Sequence, residues 1–233
     1  MKKFKGILFD YGHTLVWFPH YERDHLVAAR NAQKVLQKLG ISMEASRIQS
    51  LMDNLSHQAD HVLGMDEEFK EVFSCLGIRN WNQEDLKEII NGWWEPYVRD
   101  AYPRKGASEL LRYLKIMGFK MGIVANIWGG GMNPVLRRLN MDRFFDTKVA
   151  SIDIGFQKPD PRIFNLALKR LRLAPEQVIM VGDNPRTDIQ AAKDLGIFSI
   201  RLMRGPNRTK PDLVDPDFKI RNLSTLRSII NKV

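Results

Sequence analysis

The 233-residue chain carries one cysteine, Cys75, among 36 basic and 27 acidic residues. A lone thiol closes no intrachain disulfide and builds no cysteine-rich zinc site, so the expected setting is the reducing cytoplasm. Long apolar runs are also missing. After Met1-Lys2-Lys3 the first is only Ile7-Leu8-Phe9 before Asp10 ends it, too short for the core of a secretory signal. Nothing approaches the ~18 apolar residues of a membrane span, so no membrane partner is expected. There is no internal repeat, low-complexity segment or long linker. The 44% hydrophobic content is that of a globular chain rather than a disordered one. The length suits one large domain, or one domain carrying an insertion. The charge balance is +9, and its densest cluster is Arg201, Arg204, Arg208 and Lys210. That cluster has no interleaved aromatics and belongs to no nucleic-acid module, so nucleic acid is not expected as a partner and a solvated basic face accounts for it.

What is present is a set of short apolar runs that each end in a polar side chain. Gly6-Ile7-Leu8-Phe9 leads into Asp10, Met121-Gly122-Ile123-Val124-Ala125 into Asn126, and Val178-Ile179-Met180-Val181-Gly182 into Asp183. Continuous rather than alternating runs suit strands buried on both faces of a parallel sheet. Asn133-Pro134, Asp160-Pro161 and Asn184-Pro185 read as helix starts, an N-cap followed by proline, while Gly118 and Gly196 read as helix stops. Further strands are expected at Phe198 to Leu202 and Phe218 to Ile220, then a helix around Leu223 to Ile230. The fold class is therefore α/β, a doubly wound parallel sheet, with Asp10, Asn126 and Asp183 converging on one crevice beyond the strand ends.

Residues 16–100 show no strand pattern. Ala29, Ala32, Leu36 and Leu39 recur at helical spacing up to Gly40. Ile48, Leu51, Met52 and Leu55 form a second stripe, and Phe69, Val72, Phe73 and Leu76 a third that stops at Gly77. A fourth helix is expected from Asn82 through Leu86, Ile89, Ile90, Trp93 and Trp94. The domain organisation is thus a Rossmann-like core, residues 1–15 and 101–233, interrupted by an all-helical insertion, residues 16–100.

A carboxylate after the first strand, a carboxylate pair after a later one and a lysine between them make a coherent chemical set. One aspartate can attack phosphorus, the others can hold a hard cation, and the lysine offsets negative charge. Carboxylates grouped at strand ends repel one another unless a cation joins them. Four stretches in order carry a resemblance: Phe9-Asp10-Tyr11-Gly12-His13-Thr14-Leu15, Gly122-Ile123-Val124-Ala125-Asn126, Gly155-Phe156-Gln157-Lys158-Pro159-Asp160-Pro161-Arg162-Ile163-Phe164, and Val181-Gly182-Asp183-Asn184-Pro185-Arg186-Thr187-Asp188-Ile189. With these the chain resembles the haloacid dehalogenase superfamily of aspartate-nucleophile hydrolases. The resemblance implies a phosphatase acting on a small phosphorylated metabolite through an aspartyl-phosphate on Asp10, with Lys158 stabilising nucleophile and phosphoryl group. It implies Mg²⁺ held by Asp10, Asp183, Asp188 and the main-chain carbonyl of Gly12, and it makes the helical insertion a cap over the crevice.

Two positions depart from the family pattern. Gly12 stands where the family's phosphatases carry a second aspartate as general acid and base, and Ala125 stands where they carry a serine or threonine hydroxyl for a phosphoryl oxygen. The resemblance therefore leaves two readings: a hydrolase suited to good leaving groups, or a catalytically impaired relative that binds metal and phosphate for regulation. A dehalogenase, which has no metal requirement, is disfavoured by the Asp183 and Asp188 pair, and no cap lysine among Lys34, Lys38, Lys70 and Lys87 suits phosphonate chemistry. His13 is the candidate replacement acid, against the reading of a loop histidine, and His20 and His25 are weaker ones. Asn126 and the Gly129-Gly130-Gly131 turn are candidates for substrate binding, the turn through its N–H groups. Trp93, Trp94 and Tyr97 read either as pocket wall or as packing within the helical insertion.

Overall fold

A computed structural model of the chain describes residues 4–58, 65–127 and 129–232. Residues 59–64 of the helical insertion and the Leu55 side chain of its second stripe lie outside the described residues. The chain starts with β1 (Gly6–Phe9) and a two-residue strand β2 (Val16–Trp17), then passes through helices α1 (Tyr21–Lys38), α2 (Ala45–Gln58), α3 (Met65–Cys75) and α4 (Gln83–Asp100). It returns through β3 (Tyr102–Pro103), α5 (Ala107–Ile116), β4 (Lys120–Ala125), α6 (Met132–Arg138), β5 (Thr147–Ala150), α7 (Ser151–Ile154) and α8 (Pro161–Leu171). Strand β6 (Val178–Gly182), a π-turn over Pro185–Gln190, α9 (Ala191–Asp194), β7 (Phe198–Leu202), β8 (Phe218–Ile220) and α10 (Leu226–Ile230) complete it.

Six strands form one parallel sheet in the order β5-β4-β1-β6-β7-β8. Successive strands run outward from β1 to one edge and then restart beside β1 toward the other, so the order reverses at β1. That reversal places the ends of β4, β1 and β6 around a crevice, where open α/β sheets bind ligands. All four residues of β1 are buried, which is why the strand reads as an unbroken apolar run. Pro161 opens α8 behind Asp160, whose carboxylate accepts from the Arg162 N–H at 2.8 Å, an N-cap worth about 1 kcal/mol.

The structure departs from the sequence pattern in local detail. No strand is expected in residues 16–100, yet Val16–Trp17 pairs antiparallel with Tyr102–Pro103. Two residues are too few to generate a periodic signal. Asn133 is not an N-cap: a one-turn 3-10 helix over Gly129–Gly131 runs directly into α6, which begins at Met132.

The chain divides into two compact units, one comprising residues 1–17, 102–126 and 136–233, the other residues 18–101 and 127–135. The second unit has its own core of Ala29, Leu36, Ile48, Phe69, Phe73, Ile89 and Trp93, among others. Its last long helix starts at a reciprocal cap: Asn82 Oδ1 accepts from the Glu84 and Asp85 N–H groups, and the Asp85 carboxylate accepts from the Asn82 N–H. Glu68 is out of place in this unit. It is 1% exposed, and burial, with the Glu71 charge second, pushes its pKa up to about 8 from an ordinary 4.5. A folded-state value raised above the unfolded one means that stability is highest below the unfolded value and is lost as pH rises toward the folded one. Glu68→Gln is therefore expected to raise the melting temperature at pH 8.5 and to leave it nearly unchanged at pH 4.5. A shift of equal size at both pH values would show that Glu68 is not titrating in its buried site.

Candidate active site

The polar residues that end the apolar strands meet at the strand-order reversal. Asp10 follows β1, and its N–H donates to the Val181 carbonyl of β6 at 2.9 Å. Asp183 follows β6, and Asp188 comes from the π-turn. One carboxylate oxygen from each of Asp10, Asp183 and Asp188 lies within 4.8 Å of the others, and all three side chains are buried. Lys158 joins them: its Nζ donates to Asp10 Oδ1 at 2.7 Å and to Asp188 Oδ1 at 2.6 Å.

Local sequence explains how these groups are aimed. Asn184 caps the turn, its Oδ1 accepting from the Arg186 and Thr187 N–H groups. The second Asp188 oxygen accepts from the Asn184 N–H at 2.9 Å, which draws the carboxylate back over the turn. The turn is a π-turn in which both the Asp188 and Ile189 N–H groups point to the Asn184 carbonyl. Such turns are rare and recur at functional sites. Gly182 is required by the same packing, since a Cβ there would lie 2.4 Å from Asp188 Oδ2.

Burial and mutual repulsion govern the electrostatics. Asp183 is pushed up to about 7, first by burial and then by the Asp10 and Asp188 charges. Asp188 is also raised, chiefly by burial, with Lys158 opposing. Burial pulls Lys158 down, but the two carboxylates outweigh it and hold the ammonium above the ordinary lysine value. With all three carboxylates ionised, one ammonium leaves two negative charges uncancelled in a nearly dry site. The donors are all hard oxygens and carry charge that a divalent cation cancels, so the cluster fits Mg²⁺-type ligation.

The remaining sequence candidates fall into different places. Gly12 is on the loop after β1, and among the described residues nothing lies within 4 Å of a Cβ built on it. His13 has a positive φ of 61°. Its ring meets the edge of Trp17 at 5.7 Å, and its Nδ1 is buried without a hydrogen-bond partner. Burial, then the Arg104 charge, lower its pKa against the opposing pull of Asp10, so the neutral imidazole is favoured. Asn126, expected to bind substrate, has its side-chain amide on the Lys158 backbone: its Oδ1 accepts from the Lys158 N–H at 2.7 Å and its Nδ2 donates to the Lys158 carbonyl at 2.9 Å. Ala125 is 1% exposed.

Gly129 and Gly130 belong to the second unit, and the neighbouring Gly131 is glycine because a Cβ there would lie 2.4 Å from the Trp94 ring. Trp93 packs its ring against Phe69 at 5.6 Å and His25 at 5.3 Å, inside the core of that unit. His25 is tied to the Tyr97 hydroxyl at 2.8 Å, and His20 is an exposed residue ahead of α1.

One contact has no counterpart in the sequence motifs. Asn207, between β7 and β8, donates through Nδ2 to Asp183 Oδ2 at 3.0 Å. Its segment is pinned by the buried Arg201, which donates to the Asn207 carbonyl at 2.8 Å and the Lys210 carbonyl at 2.7 Å and pairs with Asp212. The run Gly205-Pro206-Asn207 reads only as a turn. Its side-chain contact depends on where β7 ends relative to β6.

The sequence comparisons agree with this geometry. A family model described as haloacid dehalogenase-like hydrolase matches residues 32–202. A glyceraldehyde 3-phosphate phosphatase of Methanopyrus kandleri is 34% identical, the alignment covering 98% of both chains. Among solved structures, a phosphatase of this family from Thermococcus onnurineus superposes with a TM-score of 0.68 at 23% identity, covering 97% of both chains. A 2-haloacid dehalogenase from Pseudomonas syringae gives 0.72 at 22% identity, covering 98% of this chain and 99% of that one. The phosphatase and the dehalogenase share the fold equally well, so the fold alone does not choose between their chemistries. The parallel sheet, the matched family model and the relative aligned end to end make this chain a member of the haloacid dehalogenase-like hydrolases.

Proposed function

We propose that the chain is a Mg²⁺-dependent phosphatase for a small phosphorylated metabolite, working through an aspartyl-phosphate on Asp10 and restricted to good leaving groups. The observation that carries this reading is the buried bridge of Lys158 between Asp10 and Asp188, with Asp183 alongside. A structural role alone does not call for three carboxylates and an ammonium in the crevice of an α/β sheet, because burying them costs more than an apolar core of the same volume.

In this reading an Asp10 carboxylate oxygen attacks phosphorus, the bond from phosphorus to the leaving oxygen breaks, and the leaving group departs. Water then attacks the phosphorus of the aspartyl-phosphate, releasing phosphate and restoring the carboxylate. Lys158 holds Asp10 in place, and Asn126 holds the Lys158 backbone in register. Asp10, Asp183, Asp188 and the Gly12 carbonyl would hold Mg²⁺, which would supply positive charge to the phosphoryl oxygens. Asn207 steadies Asp183. His13 stays the candidate replacement acid, weakened in that role because burial and the Arg104 charge lower its pKa. The leaving group must therefore depart without a proton from the Gly12 position, which favours acyl and aryl phosphates over alkyl esters. Selection of the leaving group falls to the helical insertion in this reading.

The Methanopyrus kandleri relative is named for an alkyl phosphate, so the test compares leaving groups. Phosphate release with Mg²⁺ from acetyl phosphate and para-nitrophenyl phosphate is expected to exceed that from glyceraldehyde 3-phosphate by at least about 10², the lower end of a general-acid contribution. Asp10→Asn is expected to abolish all three. The second reading, a metal-binding and phosphate-binding regulator, is favoured by Gly12 and Ala125. It takes over if wild type and Asp10→Asn are equally inert while Mg²⁺ still raises the melting temperature.

A further inference from the structure

The basic cluster singled out in the sequence is split by the fold. Arg201 turns inward to pin the segment carrying Asn207, whereas Arg204 lines a cavity of about 320 Å³ together with Trp17, Arg104, Lys105 and Arg221. All of these residues belong to the sheet-bearing unit. The cavity has four cationic side chains and no carboxylate in its wall. Some cations elsewhere in the same unit do pair with acids, among them Lys115 with Asp146, Lys148 with Asp142, Arg162 with Asp160, Lys193 with Asp217 and Lys219 with Asp212. Among the described residues none of the four cations of the cavity forms an ion pair.

Two features show that this is more than a solvated basic face. Arg104 is held in place: its Nη2 donates to the His13 carbonyl, its guanidinium lies 4.9 Å over the Trp17 ring, and its Nε is buried with no hydrogen-bond partner. A guanidinium oriented in this way is the kind of group that takes a phosphate oxygen. Burial, with the Arg204 charge adding to it and Asp183 opposing, lowers the Arg104 pKa, so like charges press on one another here. Arg204 is also oriented, by hydrogen bonds to the Arg221 carbonyl at 2.8 Å and Asn222 Oδ1 at 3.2 Å. Arg221 also lines a neighbouring cavity of about 430 Å³ with Arg208, which extends the cationic surface, whereas Lys219 of that wall is paired with Asp212.

We propose that the cavity of Trp17, Arg104, Lys105, Arg204 and Arg221 is a second binding site, separate from the carboxylate cluster, for a small molecule carrying two or more phosphate charges. Its volume is in the range of small-ligand sites. Its concave wall and single aromatic favour a compact ligand over a nucleic-acid strand, which is read by several stacked aromatics along an open groove.

The site is tested by calorimetric titration of pyrophosphate into Mg²⁺-free full-length protein at low salt, where the uncancelled carboxylates of Asp10, Asp183 and Asp188 repel the anion from the catalytic crevice. One saturable equivalent is expected. The double variant Lys105→Gln/Arg221→Gln, which removes two exposed side chains with no partners in the fold, is expected to weaken binding at least tenfold. Lys169→Gln, on the exposed face of α8, is expected to leave it unchanged. Absence of saturable binding, equal binding by wild type and the double variant, or binding of a single-stranded RNA oligonucleotide without binding of pyrophosphate each overturns the proposal.

Discussion

Gly12→Asp is expected to raise turnover of an alkyl phosphate by about 10²-fold or more, because general acid and base catalysis typically contributes 10² to 10⁴ in rate. The position is open to the change: among the described residues nothing lies within 4 Å of a Cβ there, and Gly12 is not among the glycines of positive φ. The new carboxyl gives its proton to the leaving oxygen in the first step and takes one from water in the second. Acyl phosphates depart without a proton, so their gain comes only from the second step. Measuring kcat for glycerol 3-phosphate and acetyl phosphate in both proteins checks this. An unchanged alkyl rate in a folded Gly12→Asp protein would mean that the acid is already supplied elsewhere, with His13 the first residue to examine.

The chemistry of the site was legible because it sits where a buried strand stops. Asp10, Asn126 and Asp183 are each the first polar residue after an apolar run, and the parallel order of β4, β1 and β6 makes those ends neighbours. Lys158 and Asp188 were found through their motifs, although no sequence spacing reveals that one ammonium bridges two carboxylates. The motif places Asn126 by the crevice, but no spacing says that its amide engages the Lys158 backbone. Strand β5 escaped notice because four residues including Lys148 give no apolar run, and β2 because two residues give no pattern. Asn184-Pro185 reads as a helix start, and Asn184 does cap the helical turn that Pro185 opens. The π form arises from the Asp188 carboxylate folding back on the Asn184 N–H, a contact beyond the reach of capping rules. Asn207 and Arg104 were invisible for the same reason: each acts through a residue far away in the chain.

Lys158→Ala is the second change with a large expected effect. Removing one partner from a buried ion pair costs roughly 3 to 5 kcal/mol, because it leaves charge uncompensated. Here the ammonium serves two carboxylates in a site where Asp188 is 1% exposed. At 2 to 4 °C per kcal/mol for a domain of this size, the melting temperature of the metal-free variant is expected to fall by roughly 6 to 20 °C. Millimolar Mg²⁺ is expected to recover most of that loss, since a cation again joins the carboxylates, while phosphatase activity stays absent because nothing holds Asp10 toward phosphorus. Thermal unfolding with and without Mg²⁺, beside acetyl phosphate turnover, separates the two effects. A variant as stable as wild type without Mg²⁺ would show that the Lys158 bridge contributes nothing in solution.

The most direct test of the account is chemical trapping of the intermediate. With acetyl phosphate the first step needs no acid, whereas the second lacks the base that Gly12 does not supply, so the phosphorylated enzyme is expected to accumulate. Rapid acid quench followed by peptide mass mapping should find one phosphoryl group on the peptide containing Asp10. It should be absent from Asp10→Asn, and the release of acetate should show a burst of about one equivalent. Steady phosphate release with no burst and no modified peptide, undiminished in Asp10→Asn, would contradict the assignment of Asp10 as the nucleophile.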